Sequence, residues 1–296
     1  MDAPIPCIIC HSTETESFTL NDLPLRRCLN CHLVSRRDFD IPISYYSALD
    51  AGDAPDKLQA RLRNSRDRIK LFRRFVPLTG WCDVGTGEGI FLETLRRAGG
   101  SGVGIEPSVP SRAQAQERGV VIAGTTVDEV ASVVQRNHSQ VVSLFHVIEH
   151  LERPDEALQK IYAALPKGGF LIIETPDFDS PVFRSREHQA LIYPEHLWYF
   201  STKTLCTLVK QSGFEIVASG RRDFDQNNLS IWESLQRLGL PPQNSWSSEC
   251  EPTPRHEHGL VATKKNSILR SVVRKVLNRL VVLGDRLEYV WIVASK

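Results

Sequence analysis

Between Gly80 and Arg222, short apolar segments typical of strands alternate with amphipathic segments typical of helices. The strand candidates are GWCDVG, GVGIEPS, VVIAG, QVVSLFHVIEHL, FLIIETP and FEIVASGRR. Such alternation predicts a doubly wound, mostly parallel sheet with helices on both faces. The last residues, LEYVWIVASK, predict one further strand. We therefore expect an α/β protein.

The composition fits a globular protein of this class. The 296 residues are 41% hydrophobic and 24% charged, which suits one large domain or one domain with a small attachment. A net charge of +1 gives no overall attraction to nucleic acid or membranes. The N-terminus lacks the pattern of a secretory signal, and no apolar run is long enough to span a bilayer. These features predict a cytoplasmic protein.

Four cysteines have the spacing of a structural metal site. They form two C-x2-C pairs: Cys7, Cys10, Cys28 and Cys31. Each pair can present two thiolates to one tetrahedral zinc ion, and FTLNDLPLRRCLNC between them fits a hairpin. Two disulfides are the alternative, and a cytoplasmic location disfavours them. We expect a small zinc ribbon over residues 1–40.

The remaining residues, 41–296, are predicted to form the second domain. It begins with a linker and a helix, DKLQARLRNSRDRIKLFRRF, whose basic residues we interpret as a solvated face. Residues 222–285 look like an insertion that holds a Pro- and Ser-rich loop and an amphipathic stretch at 266–284. That stretch fits a lid over an acceptor pocket or a basic helix at the inner membrane surface.

The segment DVGTGEG, Asp83–Gly89, stands at a strand-to-helix junction. Glycines there let the backbone approach a ligand closely, and the helix N-terminus favours a negative group. About twenty residues further on, Glu106 ends the next strand, where a carboxylate can accept ribose hydroxyls. Nicotinamide-binding proteins also combine a glycine loop with an acid at the end of the next strand, so the loop alone does not identify the cofactor.

Four segments in order give a more specific signal: DVGTGEGIFLETL, GVGIEPS, HVIEHLERPDEALQKIYAALPKGGFLIIETPD and PEHLWYFSTKTLCTLVKQSGFEIV. Together they resemble class I S-adenosylmethionine-dependent methyltransferases. The resemblance implies a Rossmann-like, seven-stranded sheet whose last strand, LEYVWIVASK, is antiparallel. It also implies S-adenosylmethionine as cofactor.

Carried over residue by residue, the resemblance implies a cofactor site in which the three loop glycines underlie the methionine part. Asp83 would orient the loop or meet the ammonium group, Glu106 would hold the ribose, and His146 would face the cofactor or acceptor. The full set of expected cofactor-binding residues is Asp83, Gly85, Thr86, Gly87, Gly89, Glu106, Pro107, Gly124, Thr125 and His146. For Glu149 and His150 the sequence leaves two roles open: direct participation in the chemistry, or capping and positioning of the helix that follows.

The segment IYPEHLWYFS places a carboxylate and an imidazole among large apolar side chains. With the cysteine pairs, it is similar to nucleotide-sugar C-methyltransferases of deoxysugar pathways. That resemblance implies His196 as general base, with Glu195 and Tyr193 beside it. Those enzymes carry a further C-terminal domain that we do not find here, so the sugar-nucleotide acceptor and the choice of carbon or oxygen stay open. A Glu-His pair that only locks a loop is the alternative.

The leading hypothesis is therefore a methyltransferase acting on a small hydroxyl-rich acceptor such as a sugar, nucleotide sugar or glycan. A zinc-ribbon RNA or protein methyltransferase is the second hypothesis, because LRRCLNCHLVSRR is locally basic. The near-neutral total charge of +1 counts against it, and no nucleic-acid partner is expected. A non-enzymatic scaffold is the third. The sequence leaves the oligomeric state open.

Overall fold

The computed structural model describes residues 6–20, 22–37, 55–179, 195–222 and 289–296. Within these ranges the strands form two sheets. In chain order the strands are β1 (Thr15–Leu20), β2 (Leu23–Cys28), β3 (Val34–Arg36), β4 (Trp81–Val84), β5 (Gly102–Ile105), β6 (Ile122–Gly124), β7 (Val141–Phe145), β8 (Phe170–Pro176), β9 (Trp198–Tyr199), β10 (Glu215–Arg222) and β11 (Tyr289–Ser295).

The larger sheet has seven strands in the order β10-β11-β8-β7-β4-β5-β6. The neighbours from β8 to β6 are all parallel, whereas β11 is antiparallel to both β8 and β10. This confirms the predicted α/β class and the antiparallel last strand. The chain leaves β4 toward β5 and β6, then returns to the other side of β4 as β7. The reversal leaves a crevice at the carboxyl ends of β4 and β7, where such folds bind ligands.

Six α-helices are described: α1 (Pro55–Phe72), α2 (Ile90–Arg97), α3 (Val109–Glu117), α4 (Val130–Arg136), α5 (Pro154–Ala164) and α6 (Thr202–Gln211). Helix α6 begins after Ser201, whose hydroxyl accepts a hydrogen bond from the amide of Thr204 and so caps the helix. Short 3-10 turns precede α4 and α5, at Val127–Glu129 and Ile148–His150.

Both faces of the larger sheet are covered, which explains why its strands are continuously apolar. Along β7, Val142 and Leu144 belong to one core cluster, whereas Val141 and Phe145 belong to the cluster on the opposite face. All four side chains are buried. Side chains that alternate between two buried faces hold the strand ends in fixed positions, so the loops that follow them converge on one edge.

The smaller sheet joins the ribbon to the rest of the molecule. Strands β1, β2 and β3 are antiparallel, and the fourth strand is β9, which lies 162 residues after β3. In this pairing Val34 lies opposite Tyr199 and Ser35 lies opposite Trp198. The hairpin β1–β2 was predicted, whereas β3 and its pairing with β9 were not.

Several predictions lie outside the described residues. These are Tyr193, the amphipathic stretch 266–284, the boundary at residue 40, and almost all of the 222–285 insertion. The proposed start of the insertion, Arg222, is the last residue of β10. In the part of the chain that the structure describes, no helix is both long and apolar enough to cross a membrane.

Candidate active site at the carboxyl ends of the strands

The glycine loop has a backbone that few residues other than glycine adopt. Gly85, Gly87 and Gly89 have φ angles of 69°, 54° and 77°, in the left-handed region that disfavours a Cβ atom. A Cβ on Gly85 would come within 2.4 Å of a methyl carbon of Val147, which follows β7. A Cβ on Gly87 would meet nothing within 4 Å. The loop is therefore packed on one side and open above Gly87.

Glu106 lies against this loop, as expected from its place after β5. Its side chain is buried, and its two carboxylate oxygens accept hydrogen bonds from the amides of Gly87 (2.8 Å) and Ser108 (2.9 Å). The bonds fix the carboxylate beside the loop, in the position from which a strand-end acid reaches a ribose.

Asp83 is buried beneath the loop, on β4. The hydroxyl of Ser143 on β7 donates to its carboxylate over 2.5 Å. Burial raises the pKa of Asp83 to about 6, although the Ser143 hydrogen bond acts in the opposite direction. The hydrogen bond between Asp83 and Ser143 therefore links β4 to β7. Because the pKa of Asp83 is raised, a cation near the loop would favour its ionised form.

The other expected cofactor residues lie at the same edge of the sheet. Thr86 is within the loop, Pro107 follows Glu106, and Gly124 ends β6. Thr125 is exposed and donates from its amide and hydroxyl to Glu129, both over 2.8 Å. The structure thus brings these residues together along neighbouring strand ends. Their roles toward a cofactor stay predictions.

His146 directly follows β7 and has a left-handed conformation (φ 56°), which is uncommon for a residue with a side chain. Its ring nitrogens lie 3.6 Å from a carboxylate oxygen of Glu149 and 3.3 Å from one of Glu174. Burial lowers the pKa of His146, but the two carboxylates outweigh burial and the net shift is upward. His146 therefore carries positive charge more readily than an ordinary histidine.

A buried ion cluster that the sequence did not reveal supports His146. Arg68 of α1 donates to Glu174 of β8 (2.5 and 3.1 Å), and Arg222 of β10 lies 2.9 Å from the same carboxylate. Burial raises the pKa of Glu174, but the charges of Arg222 and Arg68 hold it well below its usual range. The prediction that the basic residues of α1 form a solvated face is wrong for Arg68, because its guanidinium pairs inside the protein. A long-range pair of this kind leaves no local sequence signal.

The candidate catalytic histidine, His196, belongs to a buried cluster with Glu149 and His150. The rings of His150 and His196 meet edge to face with 4.8 Å between their centres. Donor atoms of all three side chains lie within 4.8 Å of one another. Glu149 is 1% exposed, so its carboxylate turns inward to the histidines and does not cap α5. Whether Glu149 takes part in the chemistry stays a prediction.

The charges in this cluster are set by burial and by one carboxylate. Burial lowers the pKa of His196 to about 4, while Glu149 acts in the opposite direction. Burial opposes ionisation of Glu149, but His146, His150 and His196 together lower its pKa to about 2. At neutral pH the cluster therefore pairs a neutral His196 with an ionised Glu149.

Glu195 contacts the cluster through its main chain. Its carbonyl lies 3.1 Å from Nδ1 of His150, which favours the tautomer with a proton on Nδ1. The side chain of Glu195 is buried. Burial raises the pKa of Tyr199, and the charge of Glu195 adds to that shift. The expected role of the Glu195 carboxylate beside the base stays a prediction.

The cluster of Glu149, His150 and His196 could also approach a metal ion. One ligand atom of each side chain lies within 4.8 Å of the other two, so the three residues are grouped closely enough to be candidate metal ligands. The same grouping also suits proton transfer between the side chains.

The four ribbon cysteines fit a tetrahedral ion. All four are free thiols, with Cys7 and Cys31 Sγ atoms 3.4 Å apart and Cys10 and Cys28 Sγ atoms 3.4 Å apart. A disulfide requires about 2.05 Å, whereas thiolates on one zinc ion lie roughly 3.8 Å apart. The geometry thus excludes these two pairings as disulfides and fits a small zinc site.

The comparisons with known proteins agree with the fold and the loop. The sequence model of the family described as "Methyltransferase domain" matches residues 56–219, more than half of the chain. The chain therefore belongs to this methyltransferase family.

Among curated proteins, the C-methyltransferase NovU of Streptomyces niveus is 27% identical over 223 residues. The match covers 72% of this chain and 51% of NovU. The chain thus spans about half the length of this relative.

Solved structures show the same fold. An S-adenosylmethionine-dependent methyltransferase from Archaeoglobus fulgidus has a TM-score of 0.54 and 17% identity, covering 85% of this chain and 100% of its own. Phosphoethanolamine N-methyltransferase 2 of Haemonchus contortus, in complex with S-adenosyl-L-methionine, has a TM-score of 0.51 and 16% identity. It covers 86% of this chain and 60% of its own. At these identities the likeness is one of fold: the class I methyltransferase fold.

Proposed function

We propose that this chain transfers a methyl group from S-adenosylmethionine to a small hydroxyl-rich acceptor, such as a sugar, nucleotide sugar or glycan, with His196 as general base. The observation that carries the proposal is the buried cluster of Glu149, His150 and His196 beside the glycine loop. Val147 packs on Gly85, and Glu149 follows two residues later in the chain. The cofactor and acceptor regions therefore adjoin.

The residues at the strand ends fit S-adenosylmethionine. The open space above Gly87 suits the methionine part, Glu106 suits the ribose, and Asp83 suits the ammonium group. Gly124, Thr125 and Pro107 would enclose the adenine. Bound S-adenosylmethionine would supply a methyl group already activated by its sulfonium charge, so the protein must mainly align the acceptor and remove its proton.

His196 meets the first requirement of a base, because its lowered pKa keeps the imidazole neutral at physiological pH. When the imidazole takes a proton from the acceptor, the new positive charge faces the ionised Glu149. That carboxylate offsets part of the cost of charging a buried ring. His150, held by the Glu195 carbonyl, would orient the neighbouring ring. Tyr193 would be a further residue of the acceptor site, beside the base.

The relative NovU, a C-methyltransferase by name, supports a small-molecule acceptor. The alternative RNA or protein acceptor gains no support from the ribbon. Arg27 pairs with Glu16 over 2.7 Å, and Arg26 donates to Ser35 over 2.9 Å. These two arginines are engaged within the ribbon.

A panel of nucleotide sugars and free saccharides tests the proposal, with formation of S-adenosylhomocysteine as the readout. His196→Ala should lower turnover by about 10²–10⁴-fold, the usual contribution of a general base. Its affinity for S-adenosylmethionine should stay within about twofold, because the ring lies on the acceptor side. His138→Asn, at an exposed histidine, is the matched control and should keep full turnover. Unchanged turnover in His196→Ala would remove this residue as the base.

We also propose that Cys7, Cys10, Cys28 and Cys31 hold one structural zinc ion. The ion would link the turn before β1 to the turn after β2. Metal analysis of the purified protein should give about one zinc per chain. A folded protein free of metal would refute this assignment.

A further inference from the structure

The segment that carries His196 is also part of the ribbon. Tyr199 and Trp198 form β9, which pairs with β3. The amide of Arg36 donates to the carbonyl of Leu197 over 2.9 Å and so extends the pairing to the residue next to His196. The main chain on one side of His196 is thus held by the ribbon.

The same segment is held from the other side by the turn that carries Glu149. The amide of Leu197 donates to the Glu149 carbonyl over 2.8 Å. The indole of Trp198 donates to the carbonyl of Leu151 over 2.7 Å. The carbonyl of Leu197 therefore bonds to the ribbon, and its amide bonds to the turn that carries Glu149.

Packing reinforces this bridge. Trp198 is 3% exposed and shares one core cluster with Cys7, Cys28 and Leu33. On the far side of the ribbon, the side-chain amide of Gln211 in α6 donates to the carbonyl of Ile9 over 3.0 Å. Part of the ribbon thus packs into the core of the methyltransferase domain, while Leu25 and Val34 form a small separate cluster with Tyr199 of β9.

We propose that the four-cysteine ribbon is a positioning element of the active site, which holds His196 against Glu149 through the pairing of β3 with β9. A bound ion would fix the two cysteine turns, the turns fix β2 and β3, and β3 fixes residues 197–199. A sheet of three short strands has little stability of its own. Loss of the ion should therefore release the His196 segment while the cofactor loop, on the far side of β7, keeps its structure. The role of His196 and the presence of the zinc ion rest on the proposed function, whereas the pairing of β3 with β9 is a feature of the structure.

Hydrogen exchange on the intact protein tests the coupling without an acceptor. Zinc-loaded protein is compared with protein treated with a chelator, and the amides of residues 197–199 are followed. Their exchange should become at least about tenfold faster after zinc removal, since their protection comes from β3 and the Glu149 turn. Amides of Gly85 and Gly89 should keep their protection, and the affinity for S-adenosylmethionine should stay within about twofold.

A pair of variants removes the link and keeps the metal. Arg36→Pro deletes the amide that donates to Leu197 and leaves the cysteines intact, because this amide points to β9 and not to β2. Arg36→Ala loses the same side chain and keeps the amide, so it is the matched control. Both should bind one zinc ion, and only Arg36→Pro should show the faster exchange at 197–199.

Two results would overturn the coupling: unchanged exchange at 197–199 in both the chelated protein and Arg36→Pro, or equal effects of Arg36→Pro and Arg36→Ala. If chelation unfolds the whole protein, the coupling is judged from the exchange at 197–199 in zinc-loaded Arg36→Pro compared with zinc-loaded Arg36→Ala. Failure of zinc-loaded wild-type protein to bind S-adenosylmethionine would instead refute the proposed function and would leave the exchange result to be judged by itself.

Discussion

At the scale of single residues, the cofactor loop depends on backbone conformations that its glycines supply. Gly85 and Gly87 differ in what surrounds them, although both have positive φ. A side chain on Gly85 would collide with Val147, whereas one on Gly87 would enter open space. Only the second position therefore separates an effect on ligand binding from an effect on packing.

Gly87→Ala should weaken S-adenosylmethionine binding by at least about tenfold, because the added methyl group enters the space proposed for the cofactor. The left-handed conformation should also cost about 1–2 kcal/mol of stability. Gly168→Ala is the matched control, since Gly168 has φ 77° and also meets nothing within 4 Å. Calorimetric titration should show normal affinity for the control. Equal loss of affinity in both variants would place the cofactor elsewhere.

Asp83 gives a prediction about pH. Its pKa is raised from 3.8 to about 6 in the folded protein, mainly by burial. Between these values the native state binds more protons than the unfolded state, so stability falls as pH rises. Asp83→Asn lacks this titration and keeps an acceptor for Ser143. Urea unfolding should show the wild type losing about 2 kcal/mol relative to the variant between pH 4 and 6. Parallel stability curves would contradict the raised pKa.

At the scale of elements, α1 is fastened to the sheet by one buried charge. The Arg68 guanidinium lies 4.2 Å from the centre of the Phe145 ring and reaches Glu174 under His146. A helix that looks amphipathic in sequence thus supplies a cation to the floor of the site. The contact also links the start of the methyltransferase domain to β8.

Arg68→Met should lower the free energy of unfolding by about 3–5 kcal/mol, because it leaves the buried Glu174 with one cation fewer. Arg66→Met changes an exposed arginine of the same helix and should stay within about 0.5 kcal/mol of wild type. Denaturant unfolding measures both. A small loss in Arg68→Met would show that Arg222 and His146 neutralise Glu174 without it.

The elements themselves could be read from sequence because their signals are local. The apolar runs predicted the strands of the larger sheet. The two C-x2-C pairs gave the hairpin between them. The pairing of β3 with β9 and the inward orientation of the Glu149 side chain could not be predicted, because each depends on residues far apart in the chain. For the same reason Arg68 was assigned to the surface.

At the scale of the whole molecule, two sheets meet at the candidate active site. The seven-stranded sheet supplies the glycine loop, Glu106 and the turn that carries Glu149, while the ribbon sheet takes in the residues directly after His196. The proposed cofactor site and the proposed base are therefore held by different parts of the structure. For this reason we expect changes in the ribbon to perturb His196 without disturbing the cofactor loop.

The central claim is that the loop of Gly85, Gly87 and Gly89 binds S-adenosylmethionine. Calorimetric titration of the zinc-loaded protein tests it most directly. The account predicts one S-adenosylmethionine per chain, an affinity weakened in Gly87→Ala and normal in Gly168→Ala, and no binding of a nicotinamide dinucleotide. Binding of the dinucleotide, or no binding of S-adenosylmethionine by the folded protein, would contradict it.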